Sequence, residues 1–439
     1  MSVVAAGPAL PSEPLRRSLK LFDIVALGVN SVIGTGIFFL PGKVAAMMGP
    51  AALLTFLISA VLCSLLILCF AELASRFTAT GGPMRYAEAA FGRTAGFVVG
   101  WLSWLTRLIA WAALVNGLFT AAVTLFPAVE PHRVAFLVAA VVALAGVNVI
   151  GVALGSRITN VITIAKLLPI LVLIVVGIFQ IRGDLFVPFA PQGFGELGPA
   201  TMVILFAFVG FEVLTIPAGE MREPKRALPR ALILVMSVVT VTYLLLWVVC
   251  AGTLPQLAGA ANPVADAAVV ILGPIGGTMI AAGIFISVLG VNAASALIAP
   301  RALYALARDG MLPRFLARVH PRTGTPVVAI VVTSGLALLL AVSGSFVELA
   351  LMSMVARMAQ YYATCGALIR LRATRPDEAP EFRAPAGRAV AVLAMLVCTW
   401  LLVEADPRHL AWGAVAIVSG LGLHFIVRAF SPPPGGDLR

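Results

Sequence analysis

Four ionisable side chains stand in stretches where water should be scarce. Lys166 lies in Asn160-Val-Ile-Thr-Ile-Ala-Lys-Leu-Leu-Pro169, Arg107 between Trp104 and Trp111, and Arg357 in Met354-Val-Ala-Arg-Met358. Glu212 closes Phe206-Ala-Phe-Val-Gly-Phe-Glu212. A charge in the middle of a long apolar span costs about 2.5–3.5 kcal/mol on insertion scales, so it marks a candidate ion pair, proton site or ligand contact. A buried amine such as Lys166 can take up and release a proton. A carboxylate such as Glu212 can carry a proton, close a salt bridge or be satisfied by nearby backbone. Arg107 and Arg357 are expected to face the interior of a helix bundle and find carboxylates or carbonyls there. Glu212, Glu72 and Glu348 are the candidate partners. Trp104 and Trp111 stand three residues before and four after Arg107, which puts them on its helical face as pocket walls or packing.

Other chemistries lack their residues. The four histidines, His132, His320, His409 and His424, show no His-Glu-x-x-His spacing, and no phosphate-binding G-x-x-x-x-G-K-[ST] loop is present. The cysteines Cys63, Cys69, Cys250, Cys365 and Cys398 all lie in apolar runs without metal-ligand spacing and read as small hydrophobes. Neither a metal nor a cofactor is expected, nor an enzyme.

The elements that hold these groups follow from composition. Of 439 residues, 61% are hydrophobic and only 11% charged, against about 45–50% and about 25% in soluble domains. Mean hydropathy is +1.05. An all-α polytopic membrane protein is implied, because a spanning segment must satisfy its backbone internally. Twelve apolar runs are found, at about 22–46, 50–75, 94–126, 132–153, 157–181, 198–219, 231–253, 273–299, 327–342, 346–369, 389–404 and 409–428. They are too long for the alternating strands of an outer-membrane barrel. With the N-terminus in the cytoplasm, 23 of the 30 Lys and Arg fall on the inner side and four on the outer. That asymmetry sets the orientation, with both termini cytoplasmic, and accounts for the net charge of +11 without nucleic acid. Residues 1–21 form an inner segment ending in Arg16, Arg17 and Lys20, without the pattern of a cleaved signal peptide. Residues 22–430 form the membrane domain, and 431–439 a Pro- and Gly-rich tail expected to be disordered.

Two spans look interrupted. The first carries Gly28-Val-Asn-Ser-Val-Ile-Gly-Thr-Gly-Ile-Phe38, and the sixth carries Phe206 to Glu212 followed by Pro217 and Gly219. Their positions match if residues about 22–181 and about 198–369 are inverted repeats, with two further helices at about 389–428. A broken helix exposes backbone groups at membrane depth. Half-helix N-termini attract a carboxylate, and freed carbonyls attract an ammonium group or cation. An amino acid zwitterion needs both. The plainer role for such glycines is close helix packing, which Gly151-Val-Ala-Leu-Gly155 also suits.

Several stretches in order resemble the amino acid–polyamine–organocation superfamily of permeases. They are Gly34-Thr-Gly-Ile-Phe38, then Gly81-Gly-Pro83 with Tyr86 and Phe91-Gly92, then Phe206 to Glu212 with Glu220-Met-Arg-Glu-Pro-Lys-Arg-Ala-Leu-Pro229, and then Arg301-Ala-Leu-Tyr-Ala-Leu-Ala-Arg-Asp-Gly310 with Pro313 and Pro326. The resemblance implies twelve helices, alternating access and a proton-coupled or exchanging amino acid carrier in the cytoplasmic membrane. Gly34, Thr35 and Gly36 would bind the substrate carboxylate through backbone N–H groups, and Ile33 would offer a carbonyl to the amine. Backbone oxygens of Phe206, Ala207, Phe208 and Val209 would hold the amino group, and Phe206 would be an aromatic gate. Lys166 would take the place of a sodium ion and bridge spans 1, 5 and 8, with Glu212 a second coupling candidate. Span 3 lines the pocket in relatives, so Arg107 could instead meet an anionic substrate group. The charges at Glu220, Arg222, Glu223, Lys225, Arg226 and Arg230 would pair across an inner gate or remain solvated loop charge. Proton-coupled uptake of neutral amino acids is the leading expectation, and exchange of basic amino acids or polyamines the alternative.

Overall fold

The computed structural model describes residues 19–430 apart from 78–80, 151–155, 216–217, 219–220 and 377–379, and leaves out the side chains of 156–159, 162, 428 and 430. Arg16, Arg17, the Gly151–Gly155 stretch, Pro217, Gly219, Glu220 and the 431–439 tail therefore lie outside the described residues.

Helices account for every apolar run. The first run becomes two helices, α1 (Leu21–Val32) and α2 (Thr35–Met48). α3 (Leu53–Arg76) follows, and then a short helix that hydropathy does not reveal, α4 (Pro83–Phe91), opened by Gly82 and Pro83. Next come α5 (Arg93–Leu125), α6 (Arg133–Ile150) and α7 (Ser156–Gly177). The sixth run is α8 (Leu197–Phe208) and a separate 3-10 turn, Phe211–Thr215. The rest are α9 (Pro224–Thr253), α10 (Pro263–Arg308), α11 (Val327–Ser343), α12 (Phe346–Thr374), α13 (Gly387–Val403) and α14 (Pro407–Phe430). No strand occurs among the described residues; Leu19 and Met221 form an isolated bridge.

Eight segments among the described residues are long and apolar enough to cross a membrane, the first, Leu21–Arg76, carrying two apolar runs. α11 and α13 are shorter apolar helices. The outer faces are apolar too. On α7, Val161, Ile164, Leu168, Leu171 and Val175 are exposed at helical spacing, which suits hydrocarbon rather than water. α10 begins ten residues before its apolar run and turns at Gly273, whose φ of +75° only glycine adopts readily.

At the centre, α5 packs along both α10 and α12, α3 along α9, and α2 along α8. The two broken spans touch. A Cβ at Gly36 would stand 2.8 Å from the Cα and Cβ of Ala207, so α2 and α8 meet at a distance only glycine permits. At one end of the bundle the loops are knit by charge. Glu72, fully buried on α3, pairs with Arg76 and with Arg372 of α12, and accepts the Ala384 N–H at 2.9 Å. Arg85 of α4 holds Glu88 at 2.8 Å and Asp309 at 3.1 Å.

Candidate functional site

The helix breaks have defined geometry. α1 stops at Val32; Ile33 (φ −73°, ψ 89°) and Gly34 (φ −121°, ψ −147°) run in non-helical conformation before α2 starts at Thr35. No side chain caps the N-terminus of α2, so its first N–H groups project from the break without intrahelical partners. α8 ends at Phe208, Val209 is extended (ψ 162°), and Gly210 has φ +117°. A Cβ at Gly210 would fall 2.5 Å from the carbonyl oxygen of Ser31, so here too the spans meet backbone to backbone. One helix N-terminus and two helix C-termini thus converge, which gives positive and negative dipole ends side by side.

Much of the exposed α1 backbone is already engaged. Lys166 Nζ, 2% exposed on α7, donates to Asn30 O at 3.2 Å and to Ile33 O at 2.7 Å. Both acceptors are in span 1, and neither is in span 8. The Tyr243 hydroxyl, fully buried on α9, stands 3.1 Å from Val32 O and 3.0 Å from Ala207 O, joining the two breaks with one proton to share. The Ile33 carbonyl, expected to face a substrate amine, thus serves the lysine first. The last carbonyls of α8, with no backbone cap on Val209, are better placed for an incoming ammonium.

A hollow opens beside the breaks. Its lining includes Gly34, Thr35 and Gly36 from span 1, Phe206, Val209, Gly210 and Glu212 from span 6, Arg107 from α5, Val291, Ser295 and Ile298 from α10, and Arg357 from α12. The hydroxyl of Thr35 is buried there without a partner. Phe206, the aromatic ring in the lining, packs edge-on against Phe346 with ring centroids 5.7 Å apart, and Phe346 meets Phe39 at 6.1 Å, so rings from spans 10 and 1 back it.

Of the three candidate carboxylates, Glu212 is the one that pairs with Arg357. It also accepts the Gly210 N–H at 3.0 Å, tying span 10 to the break in span 6. Glu72 is taken by Arg372 and Arg76, and Glu348 closes a capping box with Ser345 at the start of α12. Arg107 is left. Among the described residues no carboxylate pairs with it, and its buried Nε has no hydrogen-bond partner. The pairing expected for Arg107 does not form, because each of the three candidate carboxylates is committed elsewhere.

Other expectations shift as well. Trp111 is fully buried and off the hollow, and Trp104 turns its N–H to Thr333 of α11 at 3.3 Å, so both are packing residues. Ala207 and Phe208 also stay off the lining; Ala207 abuts Gly36, and Phe208 stacks edge-on with Tyr243 at 5.0 Å. In the loop cluster, Arg226 reaches Glu381 at 2.7 Å. Tyr243 and Phe346 went unnoticed in the sequence. A tyrosine in the middle of an otherwise apolar span, with a hydroxyl that must be satisfied, was the available signal for the first.

An all-α bundle that holds two broken spans and a charged hollow among apolar helices is the build of a membrane permease rather than an enzyme. A family profile described as amino acid permease matches residues 19–425. The chain belongs to that family, within the amino acid–polyamine–organocation superfamily, and is a multi-pass membrane transporter. It is 30% identical to the branched-chain amino acid permease BcaP of Bacillus subtilis, over 94% of this chain and 93% of that one. It is also 30% identical to the methylthioribose transporter of the same species, over 89% of each. The cationic amino acid transporter 4 of Mus musculus is 30% identical over 84% of this chain and 62% of its own length.

Proposed function

We propose that the chain is a secondary active transporter that carries amino acids across the cytoplasmic membrane by alternating access, with both termini inside, driven by protons through Lys166. The observation that carries this reading is the juxtaposition at one hollow of the uncapped N-terminus of α2 and the free C-terminus of α8. The N–H groups of Thr35 and Gly36 suit a carboxylate, and the carbonyls of Phe206 and Val209, the two of that stretch at the lining, suit an ammonium. Both ends of an α-amino acid are then recognised by backbone. That fits a family whose relatives are named for side chains as different as branched-chain and cationic.

Lys166 supports the coupling role. One acceptor, Asn30 O, is in the last turn of α1 and the other, Ile33 O, is in the break itself, so protonation and hinge geometry are linked. Phe206 serves as the gate, with Phe346 as its counterpart. Glu212 acts chiefly as the anchor of Arg357, and its release from that pair would free the span 6 break to move. Basic amino acids and polyamines are poor candidates, because the lining holds two guanidiniums and a single, already paired carboxylate. Amino acids without a cationic side chain, neutral ones included, are the expected cargo.

Purified protein in proteoliposomes with an inward proton gradient tests the reading, after a thermal-shift screen of amino acids and polyamines. Saturable, concentrative uptake of at least one α-amino acid is expected. Ohmic current without saturation would make the chain a channel, and thermal shifts with polyamines alone would overturn the backbone recognition of a zwitterion.

A further inference from the structure

Arg107 is the charged group of the hollow that the proposed transport cycle does not use. It sits about midway along α5 and shares the lining with Gly34, Gly36, Phe206 and the Glu212–Arg357 pair. Arg357 is neutralised by Glu212, and Lys166 is bound behind the break in span 1. Among the described residues nothing neutralises Arg107. The lining side chains therefore carry one positive charge in excess: two arginines against one glutamate.

A guanidinium keeps its proton at neutral pH, so it cannot shed its charge when water leaves the site. While the hollow is open, water can solvate it. When the carrier closes around a cargo, that water is displaced, and a neutral zwitterion held by the two helix breaks brings no counter-charge. An amino acid with an anionic side chain does. Its α-carboxylate and ammonium go to the breaks, and its second anion meets the planar fork of Arg107, whose geometry matches a carboxylate.

We propose, building on the amino acid reading of this site, that Arg107 selects amino acids with an acidic side chain, and that aspartate or glutamate is a preferred cargo. The lining leaves Arg107 as its one uncompensated charge. Ala110, Leu114 and Val291 are apolar, the Ser31 hydroxyl is already spent on Leu27 O at 2.8 Å, and Thr35 and Ser295 add only neutral hydroxyls. Arg107 is thus a specificity determinant, distinct from the groups that hold the shared amino acid backbone.

Competition in proteoliposomes tests this, with alanine, leucine, aspartate, glutamate and lysine as probes against the wild-type protein and R107Q. Aspartate or glutamate is expected to be taken up by the wild type with higher apparent affinity than alanine or leucine. R107Q should lose about tenfold to a hundredfold of that affinity, the worth of one charge-assisted bond to a buried group, while alanine or leucine uptake persists. R107K, which keeps the charge but not the fork, should fall between. Wild-type uptake of neutral amino acids with no effect of the two acids would overturn the role of Arg107 and leave the permease reading standing. Unchanged acid uptake by R107Q would do the same. No uptake of any amino acid would overturn both. If R107Q does not fold, the wild-type competition alone decides.

Discussion

Lys166→Ala separates coupling from folding, and its consequences can be worked out beforehand. The substitution removes two charge-assisted hydrogen bonds, to Asn30 O and Ile33 O, worth about 1.5–3 kcal/mol each, so roughly 3–6 kcal/mol together. It also removes an ammonium whose placement at that depth costs about 2.5–3.5 kcal/mol. The two partly offset, leaving a net destabilisation between about −0.5 and about 3.5 kcal/mol, which a large bundle tolerates. Transport is affected differently. One proton per substrate and a gradient of one pH unit supply about 1.4 kcal/mol, enough for about tenfold accumulation. With the inside alkaline, the wild type should approach that ratio. In the variant no amine remains to carry the proton, so the ratio should fall to about one, while counterflow exchange of preloaded substrate continues. Uptake at fixed substrate over a series of imposed gradients reads both quantities in one preparation. Undiminished gradient-driven accumulation by Lys166→Ala would refute the assignment, and so would loss of counterflow together with accumulation in a protein that still folds.

Three other substitutions probe the frame around it. Tyr243→Phe removes only the hydroxyl shared by Val32 O and Ala207 O; it should cost about 1–3 kcal/mol of stability and weaken substrate binding, measured by thermal shift with and without ligand. Gly36→Val places side-chain atoms against the backbone of Ala207, where even a Cβ would stand at 2.8 Å; substrate binding should be abolished, and normal affinity would count against a site at the first break. Glu212→Gln leaves Arg357, 5% exposed, without its carboxylate and should destabilise by about 3–5 kcal/mol, whereas the double change Glu212→Gln with Arg357→Met should recover much of that loss in a double-mutant cycle.

Much of this architecture was legible in one dimension. Membrane depth has no water to satisfy a peptide group, so twelve apolar runs could only become helices, and each of them did. The glycine cluster of run one, and in run six Gly210 followed by Pro217 and Gly219, foretold both breaks, because a residue without a Cβ marks where backbone must bend or touch backbone; the interruptions fall at Ile33–Gly34 and Val209–Gly210, within the stretches expected. The depth of Lys166, Arg107, Arg357 and Glu212 was equally visible, since hydropathy places a charge along a span. α4 escaped notice because it is short and its residues are of mixed polarity.

What hydropathy does not carry is rotation about a helix axis and the identity of neighbours. Glu72, Glu212 and Glu348 were equivalent partners on paper. Packing of α12 against α8 and α3 gave Arg357 to Glu212 and Glu72 to Arg372, and gave Arg107 to none of them among the described residues. Trp104 and Trp111 share a helical face with Arg107 by spacing, yet only Arg107 reaches the hollow, because its longer flexible stem can turn toward polar space while the indoles fill gaps between helices. Tyr243 bridges two breaks that lie far apart in the chain, a contact that no local pattern encodes. Which segments cross the bilayer, and where they snap, follows from solvation, which acts on each stretch separately; which charge is cancelled and which remains for a ligand follows from side-chain geometry, which exists only once the helices have packed.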